Sequence, residues 1–471
     1  MREIENKHEA AAASADQRLG TAPLLPLIFS LALPTAMAQL VNMLYNIVDR
    51  IYVGHIPEVG SLALASLGVT YPIIVLITAF SNLIGMGGAP RASVAMGRGD
   101  YKTAERILGN CVTLLIALSI LLSVVFTIFG EPILMAFGAS ENTLPYAMDY
   151  LRIYLMGTVF VQFTLGMTPF ITNQGFAKTS MATTCIGAVA NIVLDPVFIY
   201  GFGMGVEGAA IATVLSQALS AAWVLIFFTG KRSVLRIRKA NLIPEKATLA
   251  LVLSLGVSPF LMSATECLIQ LAFNTGAAAY GGDGAVAIMS ILFSVAQIAN
   301  LPIQGFCQGA QPVVGYNFGA QKMERVRKTF LVMLAVSMGV TTLVVGSVEI
   351  APQLFLGLFS SDGAILSVGM TPLRIYMLGF FFMGAQNTCQ QTFLGLGEAK
   401  LSMFIALLRK VILLLPLALI IPRVFGVLGL SQLVGLYVAE PVSDIISAST
   451  CTILFFAVEW KKLRDPAPKA A

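Results

Sequence analysis

Residues 151–157 read LRIYLMG, and residues 373–379 read LRIYMLG. A second pair follows, GFAKTSM at 175–181 and GEAKLSM at 397–403. Both pairs are offset by 222 residues without a gap. Looser echoes flank them: GDYKTAER (99–106) against GAQKMER (319–325), and GVEG (205–208) against GVLG (426–429). Solenoid repeats recur every 20–50 residues or so. A single repeat of this length instead means one multi-helix unit written twice.

The solvent of that unit follows from composition. Of 471 residues, 57% are hydrophobic and only 11% charged, against about 25% charged in an ordinary globular chain. So few charges cannot cover a water-facing surface. Twelve apolar stretches are long enough to span a bilayer, which takes about 20 residues. They lie near 25–53, 62–88, 107–129, 147–170, 181–201, 208–229, 249–273, 285–311, 329–351, 369–394, 403–422 and 431–458. Prolines inside them, such as Pro34, Pro72, Pro169, Pro259, Pro302 and Pro416, are tolerated where neighbouring helices satisfy the freed carbonyls.

Six helices repeated in the same sense give two lobes related by an axis along the membrane normal. The expected fold is therefore an all-α integral membrane protein of twelve transmembrane helices in two pseudo-twofold-related six-helix lobes. The expected divisions are a cytoplasmic tail (1–24), an N-lobe (25–229), a basic cytoplasmic linker (230–248), a C-lobe (249–459) and a second cytoplasmic tail (460–471). With both termini inside, 25 of the 29 Lys and Arg residues fall on the cytoplasmic side, leaving only Arg50, Arg152, Arg374 and Arg423; this is the positive-inside pattern. Two lobes around a site suit a transporter better than a channel. No GxxxxGK[ST] run occurs, which removes ATP as this chain's own energy source. The six cysteines form no CxxC pair, so neither a zinc site nor a disulfide framework is expected. No enzyme activity, cofactor or nucleic-acid partner is expected, and the chain is read as a monomer.

The first segment carries Gln39, Asn42, Asn46 and Asp49, with Tyr45 one turn before the acid. Spacings of three and four place them on one helix face. A carboxylate facing lipid near mid-membrane costs about 3 kcal/mol or more, so the stripe should face protein or a water-filled cavity. The alternative is an interfacial Asp49 capped by Arg50. The fifth segment repeats the pattern with Asn191 and Asp195, followed by Pro196, and the sixth offers Thr213, Ser216 and Gln217. A membrane carboxyl is neutral either as the acid or beside a bound cation. Two of them can therefore exchange a proton for a cationic ligand.

The stretches YNIVDRIYVGH (45–55) and NIVLDPVFIYGFGMGVEGAAIAT (191–213) resemble the first and fifth helices of the multidrug and toxic compound extrusion (MATE) family. The similarity is to its DinF-like and MepA-like bacterial branch and covers residues 25–458. It implies a coupling and substrate site at Asp49, Asp195, Tyr45, Asn191 and Thr213, with Na+ at the two aspartates as one option. It implies a bending first helix at Pro34. The implied activity is H+- or Na+-coupled efflux of amphipathic, mostly cationic drugs or dyes across a bacterial cytoplasmic (inner) membrane. Gln39, Asn42, Asn46, Gln217 and Glu266 are candidate cavity-lining residues; Glu266 resembles an acid of the family's NorM-like branch. The tenth segment offers no second acid there, only Gln386, Asn387, Gln390 and Gln391.

Arg409 and Asp444 are a candidate ion pair of the C-lobe, serving either coupling or structure. The rival reading is a lipid or polysaccharide flippase of the same wider superfamily, whose cavity would be lined by arginines. The polar cavity residues nameable from sequence are acids and amides.

Overall fold

The computed structural model describes residues 18–359 and 363–464, and every regular element among them is helical. The spans are α1 (Leu24–Gly54), α2 (Gly60–Gly97), α3 (Tyr101–Ala136), α4 (Leu144–Met156 and Thr158–Asn173), α5 (Ala177–Gly201), α6 (Gly205–Thr229), α7 (Lys246–Gly282), α8 (Gly284–Gly319), α9 (Met323–Ile350), α10 (Ile365–Leu396), α11 (Ala399–Val427) and α12 (Gln432–Arg464). Eleven are long and apolar enough to cross a membrane as they stand, and the bent α4 pair makes a twelfth. Several run past the apolar stretches that announced them: α2 continues to Gly97 and α7 to Gly282. An apolar run marks the thickness of hydrocarbon, whereas helical hydrogen bonding continues into the polar interface.

The repeated LRIYLMG motif marks a break rather than a smooth helix. The stretch 147–170 is expected as one span, yet α4 bends by 59° between Met156 and Thr158. Gly157 has no Cβ there because the Val214 side chain of α6 occupies the space. Its repeat partner Gly379 separates the two halves of α10, Gly363–Met377 and Phe380–Leu396. A Cβ on Gly379 would meet the backbone of Pro441 and the Asp444 side chain of α12. The two lobes thus use the same glycine to seat their fourth helix against their sixth.

Within the first lobe α1 packs on α5, α2 on α3 and α4, and α5 on α6; in the second, α9 packs on α10, and α11 and α12 pack together. Across the lobes, α1 and α2 meet α7 and α8. Those contacts lie at the helix ends nearest the termini and the interlobe linker. A Cβ on Gly305 would stand 2.6 Å from the Ala36 Cα, and one on Gly309 2.6 Å from the Ala32 Cα. Gly87 and Gly256 likewise bring α2 and α7 into backbone contact. Small residues are what allow membrane helices this close.

Hydrogen bonds reinforce the same end. Gln39 Nε2 donates to Gln308 Oε1 at 3.2 Å, Asn82 Nδ2 to Ser263 Oγ at 3.2 Å, and Ser93 Oγ to the Pro312 carbonyl at 3.3 Å. Just before α1, the carbonyls of Leu19, Gly20 and Ala22 accept from Asn317, Lys322 and Arg325. The linker is pinned to the first lobe: Gln174 Oε1 accepts from Val234 N at 2.8 Å and Leu235 N at 2.9 Å. The lobes are therefore closed at the end that carries the termini and part toward the other.

Candidate transport site

The parted halves enclose a cavity of about 460 Å³. The polar face of α1 lines it: Gln39, Asn42, Tyr45, Asn46 and Asp49 all stand on its wall. Periodicity dictated this. Residues three and four apart share a face, and α1 runs unbroken through Pro34, so the whole stripe points one way. Asn46 donates to the Asn42 carbonyl one turn back at 2.6 Å, which ties up its amide hydrogens locally.

Asp195 comes from α5, fully buried, where Asn191 Nδ2 donates to its Oδ1 at 3.1 Å. Its carboxyl faces that of Asp49 within hydrogen-bond reach. Asp49 Oδ1, Asp195 Oδ2 and Asn191 Oδ1 are buried without a hydrogen-bond partner among the described residues. Unpaired buried acceptors are costly, so these oxygens are fit to hold something not supplied by the chain: a proton, a cation or water. The α-helical part of α5 ends at Pro196, and residues Val197–Gly201 form a π turn. Such turns recur at functional positions. The Tyr200 hydroxyl then donates to the Tyr52 carbonyl at 2.7 Å, closing α5 on α1 beyond the pair.

Thr213 and Gln217 of α6 complete the wall. Together with Gln39, Asn42 and Tyr45 they also line a second cavity of about 160 Å³, which continues toward the closed end. Hydroxyl and amide side chains dominate it, among them Thr35, Thr168, Thr183, Thr184 and Ser220. Gln217 Oε1 is a further buried acceptor without a partner.

Two aromatic residues escaped the sequence reading. Tyr150 and Tyr154 of α4 stand on the wall of the larger cavity with Asp49 and Thr213, and the Tyr150 hydroxyl lies near Thr213. Their i, i+4 spacing inside DYLRIY was visible, but an aromatic pair in a membrane helix ordinarily packs against neighbours or lipid. Arg50 does not cap Asp49; its guanidinium lies 5.2 Å from the Tyr71 ring centroid in a cation–π contact.

A cavity of about 330 Å³ on the second lobe's side adjoins the first, sharing Tyr71, Val75, Thr78, Gln297 and Leu301 with it, and is lined by Glu266, Arg409, Lys410, Glu440 and Asp444 among others. Arg409 Nε donates to Asp444 Oδ1 at 2.7 Å, and its Nη2 to Glu440 Oε1 at 3.1 Å. Lys410 Nζ pairs with Glu266 Oε2. The Arg409–Asp444 contact therefore belongs to a five-residue cluster. The cavity walls also carry basic residues beyond the acids and amides nameable from sequence: Arg50, Arg409 and Lys410. Sequence spacing could not place basic residues toward an interior that only packing creates. Two amides of α10 bond within the second lobe: Gln390 Nε2 donates to Ser258 Oγ and Ser402 Oγ, both at 2.8 Å, and Asn387 Nδ2 to Asn300 Oδ1 at 2.9 Å.

Two same-sense six-helix lobes, closed at one end around cavities with buried carboxyl groups, define a membrane transporter. The MatE family model matches residues 34–197 and again 259–420, one match in each lobe. The chain belongs to the MATE family and is MepA-like within it. A multidrug export protein MepA of Staphylococcus haemolyticus is 29% identical over 425 residues, covering 88% of this chain and 90% of that one. The MepA of Staphylococcus aureus strain MRSA252 is 27% identical over 416 residues, covering 86% and 89%. Among solved structures, a MATE in the bent conformation superposes with a TM-score of 0.88 at 22% identity, covering 96% of this chain and 98% of that one. A MOP-superfamily transporter from Pyrococcus furiosus gives 0.87 at 22% identity, covering 96% and 99%. At that identity the structures speak for the fold.

Proposed function

We propose that this protein exports amphipathic, mostly cationic drugs or dyes in exchange for inward H+ or Na+, by alternating access. Relatives bearing the name multidrug export protein along nearly the whole chain support export of several drugs. The coupling site is the Asp49/Asp195 pair, with Tyr45, Asn191 and Thr213 around it. The observation carrying this is that two carboxyl groups from different helices face each other and each keeps a buried oxygen unpartnered. Like charges at that separation cannot both stand bare. A proton between them, or a cation beside them, neutralises the pair, and a cationic substrate competes for the same charge.

The donors suit either ion. Aspartate and amide oxygens are the hard ligands an alkali cation takes, and the same oxygens accept a proton. Neutralising the pair lets α1 bend at Pro34. Residues 25–229 and 249–459 are the two rocking units, joined by 230–248. The chain resides as a monomer in a bacterial cytoplasmic membrane with both termini inside, an orientation favoured by the basic residues at the closed end. In that orientation the structure corresponds to an outward-open state.

The basic residues on the cavity walls are what a flippase of anionic headgroups would want. Arg409 and Lys410 are already paired with carboxylates, which favours cations. Ethidium efflux from a drug-sensitive bacterium decides the matter, comparing the native chain with Asp49→Asn and Asp195→Asn. Expressed but inactive variants, together with native export that stops when the proton gradient is collapsed or sodium removed, are the expected result. Variants exporting at the native rate would reject the coupling site.

A further inference from the structure

The charge cluster of the second lobe is not balanced. Glu266, Glu440 and Asp444 face only Arg409 and Lys410 on the wall of the 330 Å³ cavity, so with all five ionised one negative charge is in excess. The two cations are held differently. Arg409 grips both Asp444 and Glu440, and all three side chains are nearly enclosed, with exposures of 12%, 4% and 11%. Lys410 makes a single pair with Glu266, whose side chain remains 45% exposed to the cavity. Glu440 itself is 8% exposed, and its Oε2 is buried with no partner. An unclaimed carboxylate oxygen therefore belongs to a residue of the same cavity wall that carries Lys410, and lies just behind that wall.

The backbone explains why adjacent residues share one cavity. Consecutive positions of an α-helix point about a quarter-turn apart and do not face each other. Arg409 and Lys410 sit in a π-helical segment, Leu408–Leu414, whose wider turn brings neighbours closer in angle and recurs at functional positions. An arginine fork fixed on two acids is a strut, while a lysine on a flexible four-carbon stem can relocate.

We propose that Lys410 is a tethered counter-ion. It occupies the Glu266 carboxylate while the cavity holds no ligand, and an organic cation replaces it there as the lysine ammonium moves to Glu440 Oε2. The C-lobe cavity is thus a second binding site for bulky aromatic ammonium compounds, and this rests on the reading of the chain as a cation exporter. Phe293, Tyr376 and Phe380 supply aromatic rings to its wall and Met262, Met377 and Met383 thioethers, types that suit an aromatic cation. Its volume lies within the range of drug-sized pockets. The built-in ammonium keeps Glu266 from standing as a bare charge within the membrane. It also sets a threshold that an incoming cation must exceed.

The test is fluorescence titration of the full-length detergent-purified protein with ethidium, with the thermal midpoint of each variant recorded as a check on folding. Lys410→Gln removes the internal competitor and should tighten ethidium at least fivefold. Glu266→Gln should weaken it tenfold or more. Glu440→Gln, which denies the lysine its second seat, should weaken binding about threefold in the native background. Combined with Lys410→Gln it should change binding by less than twofold, since no lysine is left to relocate. Folded Lys410→Gln protein that binds no tighter than native, or Glu266→Gln protein that binds as well as native, overturns the proposal. Native binding that is lost in Asp49→Asn but indifferent to Glu266 and Lys410 overturns it while sparing the transport reading. Absence of ethidium binding and export in the native protein rejects both.

Discussion

Replacing Arg409 by methionine keeps the unbranched apolar stem of the side chain and removes the cation shared by Asp444 and Glu440. Breaking a buried ion pair from one side costs about 3–5 kcal/mol, because the abandoned charge stays buried. The structure sets its own ceiling on that figure. One lost positive charge is restored by one proton taken up by the cluster. Starting from the reference value near 4 for a carboxyl, protonating it at pH 7 costs about 1.4 kcal/mol for each of about three pH steps, roughly 4 kcal/mol in all. The penalty should shrink by about 1.4 kcal/mol per unit as the pH is lowered, to roughly 1.5 kcal/mol at pH 5. The sign follows from the variant's folded cluster taking up a proton the unfolded chain does not hold at neutral pH.

The assay is the thermal midpoint of detergent-purified protein at pH 7.5 and pH 5.5, for the native chain, Arg409→Met, Asp444→Asn and the double variant. Arg409→Met should fall well below native at pH 7.5 and recover most of the loss at pH 5.5. Asp444→Asn alone should cost less, since Arg409 keeps Glu440. The double variant should be more stable than Arg409→Met, because removing the second charge relieves the first loss; such non-additivity is expected of groups in direct contact. A fall that is independent of pH and not relieved by Asp444→Asn would refute the electrostatic account and leave packing of the guanidinium as the cause.

Other outcomes follow from single contacts. Gly256→Val would drive a Cβ into the Leu83 carbonyl at the closed end of the lobe interface. Overpacking costs about 1–3 kcal/mol, so a lower thermal midpoint is expected, with cysteine-labelling access from the terminal side rising as the seal loosens; an unchanged midpoint and access would count against the seal. Tyr150→Phe removes the hydroxyl near Thr213 and should reduce ethidium efflux severalfold at unchanged expression; native efflux would remove Tyr150 from the site. Pro34→Ala restores a helical hydrogen bond in α1 and should slow export without altering substrate binding, and native export rates would reject the bend. Asp100 caps α3 by accepting from Thr103 N at 3.0 Å, and the Thr103 hydroxyl together with that backbone contact holds its carboxyl below the usual range. Asp100→Ala should cost about 1 kcal/mol, seen as a slightly lower midpoint at neutral pH, and acid should reduce that difference as the native carboxylate is protonated.

The sequence by itself determined the twelve spans, their grouping into two repeated halves and the polar face of α1. Each rests on a local property: the length of an apolar run, a word repeated at constant offset, a spacing of three and four residues. Such signals survive without neighbours because bilayer thickness and helix geometry are the same everywhere along the chain. Only the tertiary structure decided which charges meet. Asp49 and Asp195 are separated by many residues, and their facing each other depends on how α1 packs on α5. Lys410 reaches Glu266, and Arg409 reaches two acids, through a π turn that no composition announces. The glycine of LRIYLMG read as part of a straight helix and proved to be its break, because what it accommodates, Val214, lies in another helix. Periodicity says which face a residue shares. What that face looks upon is settled by close packing across the lobes, where the absence of a single Cβ determines how near two backbones come.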